Sequence, residues 1–503
     1  FFSLFSLSYN SSLNHISFLS VFILSNILFS LSPLVTIPLL SFGMVQGWLS
    51  PMISVLQSDD GPSPKPYTSS DISWMASVTY ITAIIFGAPM GYLTDRFGRK
   101  LMTLVTTLSL IIYWQIKLLS LEPWALILAR AVAGIPCSSC YIVLPIYLKE
   151  ISDIDLRGAL GSLLILNRNI GYLMSYIGAD VLSVNTMLWL GLLVPTVIFF
   201  IFLAMPETPE YLVKQGKVDE AKTVLAWLRG VSVVDRGVEQ DIESIVRVDK
   251  QTQADEQSVW KIIWQDKPTF KAFIITIIIK ITQQFDGYLI VLIYAGFVFE
   301  RASESISLKL SPNKQVMLIG VVQLLGSIIA TCIVEKTGRK LLLVTTSFAV
   351  GVGMVVLSAW FYMTSSGFWL PGWLPVLAMC LCIFADAAGF QPISYIIITD
   401  LFTFQVIQFI TNIFLLFQLR GNVSAFANVC AKLSNFVQTK WFTIICEMIG
   451  IHWTFLFFAA ICFIACFYTI IYFPETRGKT IDEIYSKLSG KAKKDDSKIE
   501  SVP

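Results

Sequence analysis

The sequence predicts an all-α membrane protein of twelve transmembrane helices, arranged as two six-helix halves. Three observations carry this reading: charge is scarce, apolar runs of bilayer length recur in series, and short charged motifs repeat between the halves in the same order. Hydrophobic residues make up 55% of the 503 positions and charged residues 14%, whereas a globular chain in water carries roughly 25% charged residues. Mean hydropathy is +0.70. A large soluble core does not need uncharged runs of about 20 residues, but a hydrocarbon layer about 30 Å thick does.

Such runs, bounded by charge, Pro or Gly, fall near 34–56, 72–93, 101–120, 124–147, 159–180 and 186–204. A second series falls near 271–299, 314–334, 341–363, 373–399, 421–446 and 452–473. The expected organisation is an N-terminal half over 34–204, a linker over 205–266, a C-terminal half over 267–473 and a tail over 474–503. The linker is chain of another kind: 20 charged residues lie between Glu207 and Asp266, in patterns such as KVDEAKTVLAWLRG. It is expected to be helical and water-exposed. The short loops DRFGRK at 95–100 and EKTGRK at 335–340 concentrate Lys and Arg, which places them in the cytosol by the positive-inside rule. The linker and the tail then fall on the same side, and the loop at 57–70 falls outside the cell.

Composition also excludes function classes. A net charge of +2 gives no reason to expect nucleic acid. All nine cysteines lie in apolar runs, where thiols behave as small hydrophobes. His15 and His452 are too few for a His-based metal or catalytic centre. No Ser/His/Asp, metal or nucleotide-phosphate constellation is present, so neither a cofactor nor an enzyme is expected.

Two segments depart from the pattern. Residues 1–32 contain no Lys, Arg, Asp or Glu, begin without Met, and lack the basic n-region of a signal peptide. The stretch 1–33 is read as a leader foreign to the fold, with a thirteenth helix as the alternative. Residues 403–418, TFQVIQFITNIFLLFQ, interrupt a place where a short loop is expected, and read either as a retained intron or as a re-entrant insertion.

The internal repeat is the strongest architectural signal. DRFGRK at 95–100 recurs as EKTGRK at 335–340, LRGA at 156–159 as LRGN at 419–422, and PETPEYL at 206–212 as PETRGKT at 474–480. With FGMVQGWLSPM at 42–52, RAVAG at 130–134, LPIYLKEI at 144–151 and QQFDG at 283–287, the chain resembles the sugar-porter family of the major facilitator superfamily. Within that family it is most similar to the facilitated trehalose transporters of insects.

The resemblance implies transport by alternating access, in which two states of similar free energy close on opposite sides. It implies a cytosolic gate of Asp95, Arg96, Arg99, Glu150, Arg157 and Glu207 in the first half, and of Glu335, Arg339, Asp400, Arg420 and Glu475 in the second. Lys100 and Lys340 read as topogenic charge without a gating role. A sugar presents hydroxyls in every direction, so its site calls for amides, which donate and accept without charge, and for aromatic faces. Gln283 and Gln284 match the family's paired glutamines on helix seven, Gln323 an amide on helix eight and Asn435 an Asn on helix eleven; Tyr395 stands at a family Trp. The partners implied are a small sugar and the lipid bilayer, with the plasma membrane as the family's usual location.

Four departures narrow the inference about substrate. Ile165 replaces a Gln, Leu289 an Asn, PISY at 392–395 the PxPW of helix ten, and Ala431-Lys432 an Asn-Trp. Proton-driven relatives carry an Asp at the position of Val45, and 34–56 holds no ionisable residue, so uniport is the simplest expectation. The exception is Asp286, an intramembrane acid that reads as a proton site or as the partner of Arg168 or Lys280. A sugar sensor that does not transport is the reading from another class.

Overall fold

The computed structural model describes residues 34–58, 66–152, 157–254, 267–303, 312–368, 370–401, 423–477, 479 and 481–488. The leader at 1–33 and the insertion at 403–418 lie outside these residues. The described chain is helical, without a strand. In the first part, α1 covers Leu34–Gln57, α2 Ser69–Phe97, α3 Arg99–Leu119, α4 Pro123–Ile151, α5 Arg157–Val181 and α6 Val184–Ala204. Three shorter helices follow: α7 (Pro209–Lys214), α8 (Val218–Arg229) and α9 (Arg236–Ala254). The second part holds α10 (Lys267–Gln284), α11 (Tyr288–Ser303), α12 (Pro312–Thr337), α13 (Arg339–Ser365) and α14 (Trp373–Ala385). It ends with α15 (Gln391–Leu401), α16 (Val423–Met448), α17 (Ile451–Tyr472) and the short α18 (Ile481–Leu488).

Among the described residues nine helices are long and apolar enough to cross a membrane, ten when the pair Ser69–Gly87 and Pro89–Phe97, bent by 50° at its break, counts as one span. Pro89 removes an N–H and crowds the preceding turn, which accounts for the bend. α5 and α16, at 25 and 26 residues, have the length of a span. Their apolarity is interrupted by Asn167-Arg168-Asn169 in one, and by Lys432, Asn435, Gln438 and Lys440 in the other. Those interruptions are where the two halves meet.

The helices that qualify are apolar on both faces. On α6, Trp189 and Phe200 are 59% and 64% exposed while Gly191, Ile198 and Phe202 are buried. On α17, Ile464 and Phe467 point outward while Phe458 and Cys462 pack inward. Such an outer surface is unfavourable in water and costs nothing against lipid tails. This is a multi-pass membrane protein.

Within the first half α2 packs on α4 and α3 on α6; within the second, α13 packs on α17 and α14. Among the described residues the main contacts that join the halves are α2 with α16, α5 with α12, and α1 with α11. Two of the helices at the centre are broken. Between α10 and α11 the chain turns at Phe285–Gly287, with Gly287 at φ +87°. Between α14 and α15 lies a π-helical turn, Asp386–Phe390, an irregularity that recurs at functional sites. The linker helices α7–α9 form a separate small core of Leu212, Ala221, Leu225, Val238 and Ile242, and α7 rests on α4.

Candidate functional site

The duplicated charged motifs fold into two matching clamps. Gly98 and Gly338 sit at φ +94° and +91°, a conformation that glycine adopts without strain, and each begins a helix, α3 and α13. The first N–H groups of a helix have no internal acceptor and favour a negative charge. In the first half Glu207 supplies it, accepting from the backbone N–H of Arg99 at 3.0 Å and of Lys100 at 3.2 Å. In the second Glu475 does the same, accepting from Arg339 N–H at 2.9 Å and Lys340 N–H at 3.1 Å. Lys100 Nζ donates to the Leu203 carbonyl at 2.9 Å, and Lys340 Nζ to that of Ile470 at 2.7 Å. Each lysine, expected to be topogenic only, thus also ties its loop to the end of α6 or α17.

Among the described residues one group of ion pairs centres on Arg99 in the first half, and others lie in the linker, Lys217 with Glu220 and Arg229 with Asp241. Arg99 Nη2 contacts Asp95 at 3.0 Å and Glu150 at 2.8 Å, and its Nε donates to Glu150 at 3.0 Å. Thr208 adds a hydroxyl to Glu150. Arg96 stands apart from this cluster: it lies over the rings of Tyr92 and Phe97 and donates to the Tyr92 hydroxyl at 3.1 Å. Arg420 lies outside the described residues, and Arg157, Glu335, Asp400 and Tyr395 lie outside those whose side chains are described.

A second polar cluster sits deep between the halves. Gln283, Gln284, Gln323 and Asn435 are all at most 4% exposed. Gln284 Nε2 donates to the Gln283 side-chain oxygen Oε1, and Gln283 Nε2 donates to Asp386 Oδ1 at 3.3 Å. Gln438 Nε2 donates to Asn435 Oδ1 and to the Gln284 backbone carbonyl, both at 2.9 Å. From the first half Arg168 reaches Gln391 Oε1 at 2.8 Å, Tyr141 OH at 3.1 Å and Asn169 Oδ1 at 3.0 Å, while Asn169 donates to Ser327 on α12. Two buried acceptors, Gln323 Oε1 and Gln438 Oε1, have no hydrogen-bond donor among the described residues. A buried acceptor left unmatched costs about 1–3 kcal/mol, so a donor reaching either oxygen would relieve that cost.

Sequence reasoning left out several members of this cluster: Gln438, Gln391, Asn169 and Asp386. The signal available was the cost of an amide or acid inside an apolar run, which each of them carries. The sequence departures also acquire partners. Ser394, where the family has Pro, accepts from Lys280 Nζ at 3.3 Å, and Lys432 lies 5.2 Å from the centre of the Tyr141 ring, a cation–π distance. At Val45 the backbone carbonyl, in place of an acid, accepts from Arg130 Nη1 at 3.1 Å; Arg130 also donates to the Met75 carbonyl at 2.9 Å and to Gln46 at 3.2 Å.

Comparison with known proteins agrees with this architecture. Residues 31–488 match the family described as sugar (and other) transporter. The facilitated trehalose transporter Tret1 of Aedes aegypti is 26% identical over 476 residues, covering 94% of this chain and 56% of that protein. Tret1 of Polypedilum vanderplanki is 26% identical over 456 residues, covering 90% of this chain and 86% of that protein. The chain thus spans a little over half the length of the mosquito relative. The inward-open structure of the xylose transporter XylE from E. coli superposes with a TM-score of 0.72 at 20% identity, covering 92% of this chain and 99% of that one. The chain therefore belongs to the sugar (and other) transporter family and has the major-facilitator fold.

Proposed function

We propose that the protein carries a sugar, trehalose or a hexose, down its gradient by alternating access, with Gln283, Gln284, Gln323, Asn435 and Gln438 contacting the hydroxyls. The observation that carries this reading is the buried chain of amides between the halves, with the Gln323 and Gln438 acceptors unmatched. Amides in such a place recognise neutral hydroxyls at no cost in buried charge. The relatives named as facilitated trehalose transporters support the substrate class. The contacts α2–α16 and α5–α12 are the surfaces on which one half would rock against the other, and the two clamps, with Tyr395, Arg157, Glu335, Asp400 and Arg420, would set the cytosolic closure and the cavity wall.

Uptake of radiolabelled sugars into liposomes holding the purified protein tests the reading. Gln283→Leu, Gln284→Leu and Gln323→Leu at matched protein levels should each lower affinity two- to tenfold, about 0.5–1.5 kcal/mol per hydrogen bond lost. Unchanged affinity in all three would remove the site assignment. Proton symport is the second reading, favoured by the buried acids Asp286 and Asp386. Uptake that persists undiminished in a proton ionophore selects uniport; uptake that collapses selects symport.

A further inference from the structure

The joint between α10 and α11 and the π-turn after α14 bring two acids together in the centre of the second half. Asp286 is 0% exposed and Asp386 2%. Asp286 Oδ1 accepts from the Tyr288 backbone N–H at 2.9 Å, which holds the carboxyl at the helix break. Its other oxygen, Oδ2, has no donor among the described residues, and the group it faces is the Asp386 carboxyl. Asp386 in turn accepts from Gln283 Nε2 at 3.3 Å. Two ionised carboxylates offer each other only acceptors, and in a dry interior such a pair cannot both stay charged.

The surroundings say which of the two keeps its charge. Lys280 on α10 and Arg168 on α5 act on Asp386, and Lys432 on α16 acts on Lys280. Asp286 faces the neutral thiols of Cys382 on α14 and Cys462 on α17; the Cys462 sulfur lies 3.7 Å from the Asp286 carbonyl. α13 brings Met354 beside Gly287 and Thr346 beside Gly389, and α12 packs its Gly326 on Ala387. The positive charge is therefore on the Asp386 side.

We propose that Asp286 and Asp386 form a proton-binding site, in which a neutral Asp286 donates its Oδ2–H to the Asp386 carboxylate and so ties the α10–α11 break to the π-turn of α14. One proton satisfies the orphaned oxygen, removes the like-charge contact and leaves a single negative charge opposite Lys280 and Arg168. Through Gln283 the pair adjoins the amide cluster, yet proton binding here does not depend on which sugar, if any, that cluster holds.

Infrared spectroscopy of the purified protein in liposomes, without sugar, tests it. The wild type at neutral pH should show the carbonyl stretch of a buried protonated carboxyl that moves on exchange into D2O. Asp286→Asn should abolish that component, because Asp386 alone, hydrogen-bonded by Gln283 and with the Arg168 charge acting on it, ionises. Asp386→Asn should shift or abolish it, because the acceptor carboxylate has gone. A wild-type spectrum without the component, or one that Asp286→Asn leaves unchanged, overturns the site; a component unmoved by Asp386→Asn overturns the pairing. The wild-type measurement needs no variant to fold, and monodisperse elution qualifies each variant. Since sugar is absent, a failure here is distinct from a failure of the transport reading.

Discussion

The two clamps repeat one backbone arrangement and differ in how their carboxylates are surrounded. Both keep a glycine at positive φ, a carboxylate on the first N–H groups of the following helix, and a lysine on the carbonyls of a third helix. The carboxylates now sit in different surroundings. Burial outweighs the backbone hydrogen bonds at Glu207 and holds its carboxyl above the usual value of 4.5. At Glu475 burial also pushes upward, but the N–H groups of Arg477, Arg339, Lys340 and Thr476 outweigh it and hold the carboxyl below that value. The turn needs glycine in both clamps, because a Cβ would strain it. The surroundings of the carboxylate can differ, because a carboxylate caps a helix whether dry or wet.

Removing the charged centre should separate the clamps most. Arg99 and Glu150 are 3% and 4% exposed, so Arg99→Ala strands a buried carboxylate and should cost about 3–5 kcal/mol. Arg339 is only partly buried, and Arg339→Ala should cost about 1 kcal/mol or less. Thermal unfolding of the purified variants reads the difference, and equal losses would show that the asymmetry in burial carries no energy.

The shared glycines should behave alike. A Cβ on Gly98 would meet the Glu207 carboxylate, and one on Gly338 the Glu475 carboxylate. With the unfavourable φ, Gly98→Ala and Gly338→Ala should each cost about 1–3 kcal/mol. A tolerated alanine at either position would mean that its helix start is held by something other than this turn.

Acid should act on the two clamps in opposite senses. Glu475, lowered in the folded protein, contributes stability above its unfolded value that is lost as pH falls through the folded one. Glu207, raised, binds its proton more tightly when folded, so its contribution is full below 4.5 and declines as pH rises through the raised value. On acidification Glu207 should therefore take up its proton first and Glu475 last. Carboxyl resonances of labelled glutamate, assigned with Glu207→Gln and Glu475→Gln, report the order; the reverse order would refute the burial argument. The smallest effect belongs to the lysines. Lys100→Met and Lys340→Met should each lose about 1 kcal/mol, one charge-assisted bond at a partly exposed site, and by similar amounts.

Much of this molecule follows from the order of residues alone. Apolar runs of span length, the charged segment between two sets of them, and the paired PET and GRK motifs are periodicities in one dimension, and the bilayer enforces them locally because each helix must satisfy its own backbone. The sequence also pointed to Gln283, Gln284, Gln323 and Asn435 as a set. It was silent about what those amides touch. Gln438 joins them from the helix of Asn435, and Asn169, Gln391 and Asp386 from three other helical segments; contacts between residues such as Asp386 and Gln283, 103 positions apart, are decided only by how the helices pack. The same holds for Asp286. Read along the chain it offered a pairing with Arg168 or Lys280, but the packing turns it toward a second acid and gives the bases to Asp386. An amide or carboxylate inside a span announces from sequence that it needs a partner; which partner it receives depends on the angle and register at which two broken helices meet, and no local pattern encodes that.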